Sequence, residues 1–542
     1  MSLSPAPGFD SPQEARAFDH YRLRTAKVLS GAIDAGFWGG VVLKMSTAEP
    51  AVRHAILSIS SLHEAVESRS KTGRVIDTRF AFREYGNAIT SLRSWGQRNE
   101  PSVVPLLVCV LFICVEFLAD RDTAAQMHIC QGRQILSSLS DGRSPAIEMI
   151  KHALLPIYAR LSLSSFLFGS RPAPIPAHLR SWTEMPAMFA SVEEARYALY
   201  LTLDEALQFS AGARGPVFDP NASPEKVQAL YDEQKRLLSQ LNRWYAAFTV
   251  LTSMSPQSPT MENSLNVLRI YYNSTTIWVS TALESGDLKF DSYLENFAAI
   301  ISLASSIIGS IPVNAKMEPF SFETEVVPPV YWTAIRCRHP LLRRAALKLL
   351  TRDQMRNRRE NLWHARETAV IAARIIEIEE SELETPLDLD LAMRSMTSPS
   401  PSSMSELSAE SGAAFDLYTC HPKRIRIDIS RPPSLPAPPA SFTDPTPEEI
   451  LSGNTPLSIP SIESSPSPML EPLSPISAAL EGIQQLDLKS ANLEAPFGIP
   501  GNRRIKNTII GPADEGGTWV THFRDPDPGN AEWKITREFL RC

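Results

Sequence analysis

The chain reads as an all-α protein: a large multi-helix body, a long disordered Ser/Pro-rich insertion and a short C-terminal tail. Three observations carry that reading. Apolar residues recur at three- and four-residue steps in segment after segment from Phe18 to about Glu384. Sustained period-two alternation and runs of tight hairpin turns, the marks of strands, are few. One stretch, Val104 to Leu118, is apolar nearly all round, as expected of a helix enclosed by other helices.

Taken in order, Ser46 and Glu49 have the spacing of a capping box, and Pro50 follows in a first turn, where a missing N–H costs little. Val52, Ile56, Ile59, Leu62 and Val66 then share one helical face. Phe82, Tyr85, Ile89, Leu92 and Trp95 form the next stripe, which Gly96 ends. The run Val103 to Leu118 is interrupted by Pro105 and Glu116 and falls short of the roughly 20 residues a membrane span needs. A buried core helix is expected there, and no membrane partner. The same helix could line a small-effector cavity, but packing explains it equally and no ligand is assigned. Ala125, His128, Gly132, Ile135 and Leu139 mark a helix over Ala124 to Leu139. Further helices are expected at Leu154–Phe168, Val192–Gln208, Pro224–Thr252, Asn263–Leu283, Phe290–Ile311, Pro328–Leu350 and Asn357–Glu380, punctuated by Pro, Gly and Ser clusters.

Composition sets the outer bounds. A chain of 542 residues that is 43% hydrophobic can bury a large core, but 44 prolines are too many for uniform packing. Its net charge of −7 argues against one electrostatically driven DNA binder. Met1 to Asp10 lacks a charged-then-apolar signal segment. Six cysteines in so long a chain fit free thiols in a reducing compartment. These shifts divide the chain into a flexible N-terminus (1–17), a helical domain (18–393), a disordered linker (394–494) and a tail (495–542) expected to dock on the helices. The linker is too poor in apolar residues to offset its ordering entropy.

Chemistry-bearing patterns are sparse. His63-Glu64-Ala65-Val66-Glu67 lacks the second histidine of a metalloprotease helix and reads as a surface helix edge. No Gly-x-Ser-x-Gly elbow or phosphate-binding glycine loop occurs, and the ten histidines do not cluster. No catalytic, cofactor-binding or metal residue is assigned, and an enzyme is not expected. Arg343 to Arg359 is rich in arginine and reads as a solvated helix face with pairs such as Arg356–Glu360. In the linker, Lys423, Arg424 and Arg426 form a candidate nuclear-import signal. Ser398, Ser400, Ser465, Ser467 and Ser474 precede prolines and are candidate phosphorylation sites. Leu387-Asp388-Leu389-Asp390-Leu391 alternates apolar and acidic residues, as activation segments and fraying helix ends both do.

The wording of several segments resembles the regulatory region of the fungal Zn2Cys6 (binuclear zinc cluster) transcription factors. Glu49-Pro50-Ala51-Val52-Arg53-His54-Ala55, followed by Leu62-His63-Glu64, looks like that region's opening helix. Upstream, Tyr21 through Leu43 is similar to the segment before it. Tyr85 to Ile89 is similar to a Tyr-x-x-Ala-Ile step, Leu111 to Leu118 to a Leu-Phe-x-Cys-x-Glu-x-Leu helix, and His128 to Leu136 to a His-x-x-x-Gly-x-x-Ile-Leu partner. Arg343 to Leu350 and Arg358 to Trp363 resemble the closing segment.

The resemblance implies an all-helical regulatory module of a nuclear transcription regulator acting in RNA polymerase II transcription, partnered by transcription machinery or co-regulators and able to homodimerise. The alternative is a non-DNA-binding interaction or effector-sensing protein on the same scaffold. A binuclear cluster needs six closely spaced thiolates, and this chain has no Cys-x2-Cys. Zinc is therefore expected only if an upstream cluster module is missing, and direct DNA binding by this chain is in doubt.

Overall fold

Helix α1 (Pro12–His20) starts where the Ser11 hydroxyl accepts the Glu14 N–H. The computed structural model describes residues 11–381, Ile499 and 503–541, apart from 32, 96–102, 168–170, 181–184, 218, 220, 255–257, 285, 313–314, 515 and 526–532. After α1 the chain makes a π-helical turn (Tyr21–Thr25) and the short α2 (Ala26–Ser30), then α3 (Val42–Ala48) and α4 (Pro50–Thr72). The expected capping box does not form. Ser46 lies inside α3, its hydroxyl bonded back to the Leu43 carbonyl, and Glu49 caps α4 with no side-chain bond. Pro50 alone sets the start of α4, while Gly73 ends it with φ of 69°, where a side chain would be strained.

The next helices are α5 (Arg79–Trp95), α6 (Val103–Leu118), α7 (Asp122–Ser137), α8 (Pro145–Met149) and α9 (Leu155–Leu167). Every residue of α6 except Pro105 is buried, with α4 and α7 packed along it. Gly132 of α7 is required by α9: a Cβ there would fall 2.3 Å from the Tyr158 ring. Tyr158 in turn donates its hydroxyl to the Leu106 carbonyl of α6 at 2.9 Å, tying three helices together.

Helices α10 (Val192–Val217), α11 (Pro224–Met254), α12 (Pro259–Thr281) and α13 (Leu294–Gly309) extend the body. The stretch Asp287–Gly309 is long and apolar enough to cross a membrane by composition. Its first turns are a 3-10 segment, however, whose Asp287 and Asp291 bind arginines, and the inner face of α13 is buried.

The sequence expects one helix over 328–350; the structure holds two, α14 (Val327–Arg336) and α15 (Pro340–Thr351). Pro340 forces His339 into extended backbone and breaks the run. The helix expected from Asn357 likewise starts late, as α16 (Ala365–Glu380). Its first residues instead form a small sheet in which β1 (Phe320–Ser321) pairs in parallel with β2 (Arg359–Glu360), and β2 antiparallel with β3 (Trp363–His364). Asn361 turns that hairpin with φ of 46°, its side chain bonded to Ser164.

The tail forms a second sheet, where strand signals in the sequence are few. Strands β4 (Ile505–Asp514), β5 (Gly517–Arg524) and β6 (Lys534–Arg541) make a three-stranded antiparallel sheet in sequence order. It packs on α16 within the same compact unit as the helices.

Candidate functional site

The polar residues of the family-like segments converge inside the body. Tyr85 of α5 donates its hydroxyl to Glu116 of α6 at 2.7 Å, and Nε2 of His128 on α7 lies 3.1 Å from the same oxygen. Burial holds His128 near pKa 4 and raises Tyr85 and Glu116. A cluster of this kind fixes the register of three helices, because each buried polar atom needs its partner. His54 pairs with the buried Glu84 at 2.7 Å. His63 is buried against Thr25 and held near pKa 4 by desolvation. The surface edge expected for His63 to Glu67 is therefore an interior seam, because α1 and the following π turn cover it.

Larger ionic clusters tie distant segments together. Arg160 of α9 bonds Asp34 and Glu323, each at 2.9 Å, and Arg196 of α10 also reaches Asp34. Nη2 of Arg133 on α7 donates to both carboxylate oxygens of Asp204 on α10, at 3.0 and 3.1 Å. Glu360 serves as an internal anion at the start of α14. Its carboxylate accepts the N–H groups of Glu325, Val326 and Val327 at 2.7, 3.1 and 2.9 Å, with Arg358 beside it.

These contacts correct the reading of the basic run. Arg343, Arg358 and Arg359 are buried, and Glu360 pairs with Arg358 rather than Arg356. Helix periodicity placed Arg356 and Glu360 together, but the hairpin at Asn361 turns Glu360 inward. Arg343 and Arg344 instead meet Glu380, and Arg343 also meets Glu379.

Glu379 is the centre of the tail attachment. It accepts from Arg338 at 2.9 Å, from Arg343 at 2.7 Å and from the Ile505 N–H of β4 at 2.8 Å. Burial opposes its charge, yet Arg338 and Arg343 hold its carboxyl down to about 2. Arg504, fully buried, donates to the Asp287 carbonyl at 2.8 Å and to both oxygens of Asp291 at 3.1 and 2.5 Å. Arg374 of α16 completes the seam with Glu538 of β6 at 2.9 Å.

An open cleft of about 470 Å³ lies between α10, α11 and the segment before α10, walled by Pro174, Arg180, Glu205, Phe209, Glu233 and Arg236. Its charges are already paired, Arg236 with both Glu205 and Glu233 and Arg180 with Glu205. Cys109, Cys114 and Cys337 are buried single thiols whose pKa burial raises, and Cys130 is half-buried. Among the described residues no three His, Cys, Asp or Glu side chains gather as a metal site. The import residues Lys423, Arg424 and Arg426, the phosphorylation candidates Ser398, Ser400, Ser465, Ser467 and Ser474, and Leu387 to Leu391 lie outside the described residues.

Residues 16–370 match the pattern of the fungal specific transcription factor domain, from within α1 to the middle of α16. The chain belongs to that family. Within it, a curated relative is the aspercryptin biosynthesis cluster-specific transcription regulator of Emericella nidulans, 23% identical over 332 residues. The alignment covers 56% of this chain and 52% of that regulator, so the chain spans about half the length of the curated relative it matches. No solved structure matches. The family match takes in the Tyr85–Glu116–His128 cluster and the Glu360 cap, and stops short of Glu379 and the sheet.

Proposed function

We propose that the chain is a fungal transcription regulator whose helical body works by protein contacts in the nucleus, without catalysing a reaction. DNA is then bound by a partner or by a segment that is not in this sequence. The observation that carries the reading is the family match over residues 16–370, the stretch that builds the helical body. The cluster-specific regulator of Emericella nidulans, similar over 332 residues, supports it. Buried polar clusters that pin helix to helix suit a body that presents fixed surfaces to co-regulators.

The test is a fusion of the full chain to a heterologous DNA-binding domain, read with a promoter carrying that domain's site. A change in reporter output relative to the unfused domain is expected. Unchanged output, with the fusion verified as nuclear and expressed, would overturn the regulator reading. Lys423, Arg424 and Arg426 are proposed as the import signal. Replacing all three with alanine should move a fluorescent fusion out of the nucleus, and unaltered nuclear signal would remove them from the proposal.

A further inference from the structure

The C-terminal sheet turns its more aromatic face to solvent. Register and alternation place Thr518, Val520 and His522 of β5 on the buried side, toward α16. Trp519, Thr521 and Phe523 therefore point the other way, level with Phe539, Arg537 and Ile535 of β6. A sheet with one covered face ordinarily buries its large apolar side chains and exposes its polar ones. Here the covered face holds a threonine and a histidine beside Val520: Thr518 donates to the Gly511 carbonyl at 2.9 Å, and His522 lies against Thr508 and Glu538, while the aromatics lie on the other face.

On the outer face Trp519, Phe523 and Phe539 are half-buried, and the isoleucines beside them are open. Ile535 is 61% exposed and Ile509, across the sheet on β4, 52% exposed. Apolar patches of this kind on a soluble body mark surfaces that bind something. At its centre the Arg537 guanidinium lies over the Trp519 ring, 4.9 Å from its centroid, with Phe539 edge-on to Trp519 at 5.4 Å. Arg537 has no carboxylate partner among the described residues, although most arginines that dock this sheet are paired. No outward position from Asn507 to Gly511, Trp519 to Phe523 or Ile535 to Phe539 carries an acid.

We infer that the outer face of this sheet is a docking surface for a partner protein's peptide segment that carries a carboxylate between large apolar side chains. The apolar groups would cover Ile509, Phe523 and Ile535, and the carboxylate would pair with Arg537, whose position over Trp519 leaves its N–H edge for a bidentate contact. Charge complementarity selects this occupant: a purely apolar segment would bury the guanidinium unpaired, and a basic one would be repelled. The inference does not rest on the transcriptional reading, because a peptide can dock whether or not the chain regulates a promoter.

The test is a display selection of random 16-residue peptides on the intact chain, followed by affinity measurement on variants. Enriched peptides should carry Asp or Glu flanked by Leu, Ile, Phe or Trp. Arg537→Glu and Ile535→Asp should each weaken them by about tenfold or more, as expected for a central anchor, and Arg537→Lys by less. Arg356→Glu, on another surface, should leave binding unchanged. Both altered positions face solvent, so an unchanged unfolding midpoint verifies the fold. Failure to enrich, enrichment without acids, or equal binding to Arg537→Glu would overturn the proposal. Displacement of the selected peptides by a synthetic peptide of residues 384–394 at similar concentration would also overturn it, by assigning the face to the chain's own Leu387–Leu391 segment.

Discussion

Around α6 the helical body is held by aliphatic and aromatic packing, whereas the C-terminal sheet is fastened to that body by buried charge. The two modes differ in what they demand. Packing about Leu107, Leu111 and Phe117 asks for volume and apolarity and spreads its strength over many small contacts. The tail seam depends on a few groups, with Glu379 serving two arginines and one backbone N–H. Burying such charges earns little net stability while every partner is present, and removing one leaves the others stranded in the interior. The tail should therefore be the more abruptly separable part.

Glu379→Ala breaks the contrast hardest. It leaves Arg338 and Arg343 without their shared carboxylate, at an expected cost of about 3–5 kcal/mol. Limited proteolysis should cut within 503–541 before the helices, and denaturant unfolding should split into two steps. A single unaltered transition would show that the seam does not hold the tail. Leu111→Ala in the centre of α6 should cost about 3 kcal/mol through the cavity it opens. Here body and tail should weaken together in one urea transition, with no early cleavage of the tail.

Acid should act on the buried histidines of the body and on Glu379 of the tail seam in different windows. His63 and His128, ordinarily near 6.5, are held near 4 by burial, so the unfolded chain takes up protons first. Stability of the body should fall as pH drops from about 6.5 toward 4. Glu379, ordinarily near 4.5, titrates at about 2 in the folded chain. Its contribution is present above the unfolded value and is lost as pH falls from about 4.5 toward 2. Urea midpoints followed across pH 7 to 3 should decline in the upper window, and His63→Asn with His128→Asn should flatten that decline. The smallest effect is expected at Ser258, whose hydroxyl caps α12 by accepting the Met261 N–H. Ser258→Ala should cost about 1 kcal/mol by thermal unfolding and leave tail proteolysis unchanged.

Legibility followed how local each feature is. The bounds of α6, Val103 to Leu118, stand in the sequence because a continuous apolar run has one sensible placement. The break at Pro340 was written there too, but amphipathic helices on either side concealed it. His63 showed only a helical position, and its burial depends on α1 folding back over α4. The tail sheet stayed hidden because its covered face mixes Thr518 and His522 with Val520 while its outer face carries Trp519, Phe523 and Phe539, which blurs the usual strand alternation.

The sequence by itself determined an all-α body, its central apolar helix and its membership of the fungal specific transcription factor domain family, since each depends on short-range periodicity or on ordered motifs. Tertiary structure alone decided which charges became interior ties. Tyr85, Glu116 and His128 meet from three helices, and Glu379 meets Ile505 across 126 residues of chain. Such pairings rest on the desolvation of specific atoms brought together by the whole fold, and no local pattern encodes that proximity.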